Sequence, residues 1–225
     1  MSEKELITPD STSIITDAIT AISQLETRLQ SAATQYDQLK DECESNVKDW
    51  SWATAEMNHL RLLARERGRG RLGRWSKAPP KKAENCFEYG FDSKKRPLVI
   101  RQGIERQIYF VYNDDCAEAV KFTSSFLTAK ETRGIEVMRQ STLNNIPIDC
   151  TWHSAHQRGF EKYGFKSEKL VSIDATWTNQ PHKADDVLSA KYEASYDDSG
   201  VLVLLTCDYR AVGRHRGGSF TCYKK

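Results

Sequence analysis

The densest group of side chains capable of chemistry is Asp149-Cys150-Thr151-Trp152-His153-Ser154-Ala155-His156. Thiolate and imidazole are common zinc ligands, and a zinc site needs three or four of them in tetrahedral array. Cys150, His153 and His156 are each three residues apart. On a helix they would drift along one face. On a strand Cys150 and His156 share a face and His153 opposes them. A fourth ligand would come from His182, Cys207 or His215. No second tight pair accompanies the three, so the spacing is unspecific and no metal is assigned. The same residues offer a cysteine nucleophile, Cys150 or Cys207 with His153 or His156. That chemistry needs a lowered thiol pKa and a third, orienting group, and no local signature supplies them. The plainer reading is one buried thiol, with the two histidines in a loop or in a short helix near His153–Lys162. The carboxylates Asp92, Asp114, Asp115, Asp174, Asp197 and Asp198 fall mostly at strand ends, where turn formation explains them better than paired acid–base work.

A second candidate is electrostatic. Residues 61–82 carry nine Lys or Arg and one acid, net +8. Arg65, Arg67, Arg69, Arg71 and Arg74, with Lys77, Lys81 and Lys82, could track a phosphate backbone, and Trp75 could stack on a base. The alternative is a solvated linker, or one paired with acidic surroundings. Residues 1–60 are net −7 and residues 83–225 net +1, so an acidic segment lies next to the basic one. Gly68, Gly70 and Gly73 spell G-x-G-x-x-G. That motif must follow a strand and open a helix, whereas here it follows a helical pattern and runs into Pro79-Pro80. No dinucleotide, and no other cofactor, is assigned.

The elements that would position these groups fall into three parts: a helical module over 1–67, a basic Gly/Pro linker over 68–83 and a β-rich domain over 84–225. Ser11 to Glu66 contains no Gly or Pro. A heptad begun at Ile15 places Ile22, Leu29, Tyr36, Cys43, Trp50, Met57 and Ala64 at a. It places Ala18, Leu25, Ala32, Leu39, Asn46, Ala53 and Leu60 at d. A sustained 3.5-residue repeat predicts helices that supercoil around one another. The expectation is α+β: a long, coiled-coil-like amino-terminal helix, or a helical hairpin turning in Glu42–Asp49, followed by a mostly antiparallel β domain. Asn46 in the seam would fix register. Ile15, Ile22, Leu25, Leu29, Tyr36 and Leu39 would then carry association, with Trp75 as an exposed aromatic anchor. This points to a homo-oligomer or a helical protein partner.

After Pro80 the period becomes two. Phe87, Tyr89 and Phe91 alternate with smaller or polar residues, as do Val171, Ile173, Ala175 and Trp177. Strands are also expected at Pro97–Ile104, Gln107–Asn113, Cys116–Thr123, Gly134–Gln140 and Ser219–Tyr223. Leu188–Tyr196 and Val201–Tyr209 flank Asp197-Asp198-Ser199-Gly200 as a hairpin. The stretch E-Y-G-F-D-S-K-K-R-P-L-V-I-R, Glu88 to Arg101, resembles hairpins of immunity proteins from bacterial toxin–immunity systems. The resemblance covers about 14 of 225 residues and implies a non-catalytic, cytoplasmic protein that binds and blocks a toxin.

Composition bounds the rest. The longest aliphatic run, Val201–Leu205, is far short of the ~20 apolar residues of a membrane helix. Six cysteines without a C-x-x-C pair, and an amino end without a basic-then-apolar leader, point to reduced thiols in the cytoplasm. The leading expectation is a non-enzymatic interaction protein, an immunity protein or an adaptor of a bacterial or phage assembly. A nucleic-acid-binding protein using 61–82 is the alternative, and an enzyme centred on Cys150–His156 the third.

Overall fold

A computed structural model describes residues 11–56, 60–67, 73–79, 86–179, 187–210 and 217–225, with the side chains of 11–18, 65 and 210 left aside. Two helices come first, α1 (Ser11–Ala32) and α2 (Tyr36–Ser45), then strand β1 (Asp49–Ala53), the short helix α3 (Ala64–Arg67) and strand β2 (Trp75–Ser76). Strands β3 (Phe87–Phe91), β4 (Pro97–Gln102), β5 (Arg106–Tyr112) and β6 (Cys116–Thr123) follow. Helix α4 (Ser124–Ala129) precedes β7 (Ile135–Leu143), β8 (Ile146–Ser154), β9 (Arg158–Lys166) and β10 (Lys169–Thr178). The chain ends in β11 (Val187–Tyr196), β12 (Leu202–Arg210) and β13 (Gly218–Lys224). These thirteen described strands form one antiparallel sheet in the order β2-β1-β3-β4 and onward to β13. From β3 each strand lies beside the next in sequence, as short hairpin connections favour.

The long coiled-coil-like helix is not formed, and the α+β expectation built on it is corrected. The first helix stops at Ala32, and a turn at 33–35 breaks the heptad. Thr34 Oγ1 donates to Ser31 O at 2.9 Å, and Arg28 Nη1 donates to Gln35 Oε1 at 2.8 Å. Such side-chain bonds compete with helix continuation. The second helix ends at Asn46, its C-cap, whose Nδ2 donates to Glu42 O at 2.8 Å. Asn46 therefore closes a helix and fixes no coiled-coil register. Beyond it Trp50 and Ala53, which fit the heptad, lie in β1, paired along its whole length with β3. One sheet thus runs across the expected division between 1–67 and 84–225.

The apolar stripe of the helices is used within the chain. Leu25, Ala32, Leu39 and Cys43 are buried against Val99, Tyr109, Val120, Phe122 and Val137 of the sheet, with Leu29 and Tyr36 partly buried beside them. Helix α1 packs on β7, β8 and β9, and α2 on β4 and β5. Tyr36 sits edge-on to Phe122 with ring centroids 4.9 Å apart. The coiled-coil seam is thus an ordinary amphipathic face docked on a sheet. The short helix expected near 153–162 is instead the β8–β9 turn, where Ser154 Oγ accepts from the backbone N–H of Gln157 at 3.0 Å.

The opposite face of the sheet is also covered. Ile108, Phe110, Ala119, Met138, Trp152, Tyr163 and Ile173 form its core. The connection between β1 and β2 crosses it with residues 60–67, here termed the strap. It leaves the sheet where Thr54 N–H donates to Arg74 O at 3.2 Å. Leu60 is buried against the core, and Leu62 and Leu63 pack beside it. Both faces of the central strands are therefore covered, and β4 (Leu98-Val99-Ile100) and β5 (Ile108-Tyr109-Phe110-Val111) read as continuous apolar runs.

Candidate functional site

Glu161 lies on β9 on the strap side and is fully buried. Two strap arginines meet it. Arg61 donates to Oε1 through Nε at 2.9 Å and Nη2 at 2.5 Å. Arg67 donates to Oε1 through Nη1 at 2.6 Å and to Oε2 through Nη2 at 3.0 Å. Tyr163 OH donates to Oε2 at 3.2 Å and accepts from Leu62 N–H at 3.3 Å. Arg61 stands 4.1 Å over the Trp152 ring, and Arg67 5.0 Å over Tyr192. Gln140 Nε2 donates to Leu60 O. These bonds fasten the strap across β7, β8, β9 and β11.

The electrostatics suit a lock. Burial pushes the Glu161 carboxyl up, but the Arg61 and Arg67 guanidiniums outweigh this and hold it below its ordinary range. Burial opposes the charge of Arg67, and Glu161 restores it, so the guanidinium is held more firmly protonated. Burial raises the Cys150 thiol and the Tyr163 phenol far above neutrality. A deprotonated glutamate with saturated oxygens beside a protonated thiol offers neither a poised base nor a nucleophile. A second clamp secures α1 on the other face. Glu118 accepts from Arg28 Nε at 2.6 Å and Arg139 Nη2 at 3.0 Å.

The metal candidates are not brought together. Cys150 faces the strap core, His153 is buried on the helix-covered face, and His156 is exposed in the β8–β9 turn. Burial lowers the His153 pKa. Among the described residues no three His, Cys, Asp or Glu side chains are placed to hold a metal ion. Of the basic stretch, Arg61 and Arg67 face inward on Glu161, whereas Arg74 and Lys77 are exposed beside Trp75. The side chain of Arg65, and Arg69, Arg71, Lys81 and Lys82, lie outside the described residues, as does the side chain of Ile15. Ile22 is half-buried.

What remains exposed and chemically distinctive is a groove at the β2 end of the sheet. It holds roughly 330 Å³ and is lined by Asp49, Ser51, Trp75, Ser76, Lys77, Phe91 and Lys95. Trp75 pairs across from Ala53, which points its ring to the strap side. The ring packs edge-on against Tyr89 at 4.9 Å and near Phe91 at 5.8 Å, yet is 47% exposed. Lys95 reaches Asp49 Oδ2 at 3.2 Å. Sequence reasoning marked Trp75 and Lys77 but missed Asp49, Ser51, Phe91 and Lys95. Only the pairing of β1 with both β2 and β3 brings these four to Trp75, and no local pattern announces it. The closest hint was the hairpin Glu88–Arg101, which contains Phe91 and Lys95.

No protein-family model, curated protein or solved structure matches the chain. No described helix is long and apolar enough to cross a membrane.

Proposed function

We propose that the protein is a non-catalytic binding protein that engages a protein partner through the Trp75 groove. The observation that carries this reading is an anchored but half-exposed tryptophan at the mouth of a sheet-edge groove. Tryptophan is enriched at binding hot spots because it offers large contact area with few rotamers to freeze. The groups with catalytic potential are elsewhere and apart: Glu161 is saturated by the strap, Cys150 is buried near it, His153 lies on the opposite face and His156 in a turn. Phe91 and Lys95 of the groove belong to the hairpin that resembles those of immunity proteins, so blocking a toxin is a fitting task. Six unbridged cysteines, five of them buried, suit the reducing cytoplasm. Of the basic stretch 61–82, Arg61 and Arg67 are held on Glu161 and so are not offered to a phosphate backbone.

Selection of linear peptides from a display library tests the reading, with the full chain as bait. The expected result is a set of clones that bind the wild type, lose at least tenfold in affinity on Trp75→Ala, and keep binding Cys150→Ser. Clones that ignore Trp75→Ala throughout would overturn it.

A further inference from the structure

The groove adjoins a length of sheet edge that no described strand covers, and the two together define what fits. Strand β2 pairs with β1 only at Trp52↔Ser76 and Ala53↔Trp75. It stops there because Ser76 Oγ donates to Ala78 O at 2.7 Å and accepts from Ala78 N–H at 3.3 Å, bending the chain ahead of Pro79. Asp49, Trp50 and Ser51 pair with β3 on one side and with no described strand on the other. Thr54 N–H bonds toward the β2 side. Ladder bonds alternate along an antiparallel strand, so Trp52 and then Trp50 present their N–H and C=O to that same side. Among the described residues, the Trp50 donor and acceptor therefore have no strand partner at the groove.

Side-chain chemistry sets the occupant's character. Trp75 and Phe91 give the groove an apolar floor. Lys77 has no acidic partner among the described residues, and Lys95 is largely exposed despite its contact with Asp49. Lys48, Lys94 and Arg74, each the chain neighbour of a groove residue, are exposed. Positive charge thus exceeds negative around an extended, apolar-floored slot.

We infer that the partner, in the reading proposed above, presents an acidic extended segment that adds as a strand beside Asp49–Ser51. Its backbone bonds to Trp50, its apolar side chains lie on Trp75 and Phe91, and its carboxylates meet Lys77 and Lys95. Main-chain bonds at a sheet edge supply affinity, and alternate side chains supply choice.

Titration of the full chain with three labelled octapeptides tests this. One alternates Glu and Val, one replaces Glu by Lys, and one carries N-methyl groups on the central amides of the Glu–Val peptide. The Glu–Val peptide is expected to bind at least tenfold more tightly than either of the others. Lys77→Glu with Lys95→Glu, both at exposed positions, is expected to reverse the charge preference. Equal binding of the acidic and basic peptides, or indifference to N-methylation, would overturn the inference. So would loss of binding on Phe220→Ala at the opposite edge strand, or tighter Trp75-dependent binding of a single-stranded oligothymidine. If library clones still depend on Trp75 but are neither acidic nor sensitive to N-methylation, the docking site stands and only its occupant is wrong.

Discussion

Glu161→Gln is expected to destabilise the fold by about 3–5 kcal/mol, the usual effect of removing one partner from a buried ion pair. The asymmetry of the two arginines explains why. The Arg61 side chain is 26% exposed and can turn toward water, whereas that of Arg67 is 5% exposed and cannot. The variant therefore buries a guanidinium facing a neutral amide. At this chain length the loss corresponds to a fall in Tm of roughly 6–20 °C. Adding Arg67→Met to Glu161→Gln should recover much of it, because an apolar replacement removes the stranded charge. The pH dependence has a definite sign. The folded-state pKa of Glu161 lies below its ordinary value, so the unfolded chain takes up the proton first as pH falls. The contribution is complete above about pH 4.3, the ordinary glutamate value, and is lost as pH drops through the lowered folded-state pKa. Urea melts of wild type and Glu161→Gln should differ fully at neutral pH and converge in acid. A Glu161→Gln variant as stable as wild type at pH 7 would mean that the strap is not locked through this group.

Leu25→Ala is expected to cost about 2–5 kcal/mol, the range for truncating a buried leucine with partial collapse of the cavity. Leu25 is 1% exposed and packs with the sheet residues under α1. The side chain would matter as much in a coiled-coil seam, so the magnitude alone does not separate the two arrangements. Concentration dependence does. A monomer that docks its own helix unfolds at a urea midpoint independent of protein concentration, whereas an oligomer's midpoint rises with it. The expected result is the full destabilisation with a constant midpoint for wild type and variant alike. A midpoint that climbs with concentration, and does so less in Leu25→Ala, would restore the helix to an intermolecular role.

Strands with one mixed face were legible in the sequence, because their period survives. Val171–Trp177 alternates, and Asp197–Gly200 spells its turn: Gly200 has φ +81°, and the Asp197 carboxylate accepts from the N–H of Ser199 and Val201. Strands buried on both faces were not. In β8 the residues Cys150, Thr151, Trp152 and His153 are all buried, so no alternation marks them. Their ligand-type side chains drew attention to chemistry instead. In β9 a glycine is required by contact: a Cβ at Gly159 would lie 2.2 Å from the Trp152 ring. Read without that ring, Gly159 looks like a break. The heptad failed for a related reason. An apolar stripe specifies that a helix must be covered but not by what, and α1 finds a sheet of its own chain. Two later members, Trp50 and Ala53, matched the repeat by chance while lying in a strand. The candidate site was hidden further, since Trp75, Phe91 and Lys95 come from two hairpins joined only by the placement of β1. Glu161 gave no sequence signal, because its partners are about a hundred residues away in the strap.

The claim at the centre of this account is that recognition belongs to the β2 end of the sheet, while the strap and helical faces hold the molecule together. Amide chemical-shift mapping on the full chain, titrated with a peptide recovered by selection, tests it most directly. The account predicts perturbations confined to Asp49–Ala53, Trp75–Lys77 and the Phe91–Lys95 turn. Perturbations centred on Arg67, Cys150 and Glu161, or along α1, would contradict it.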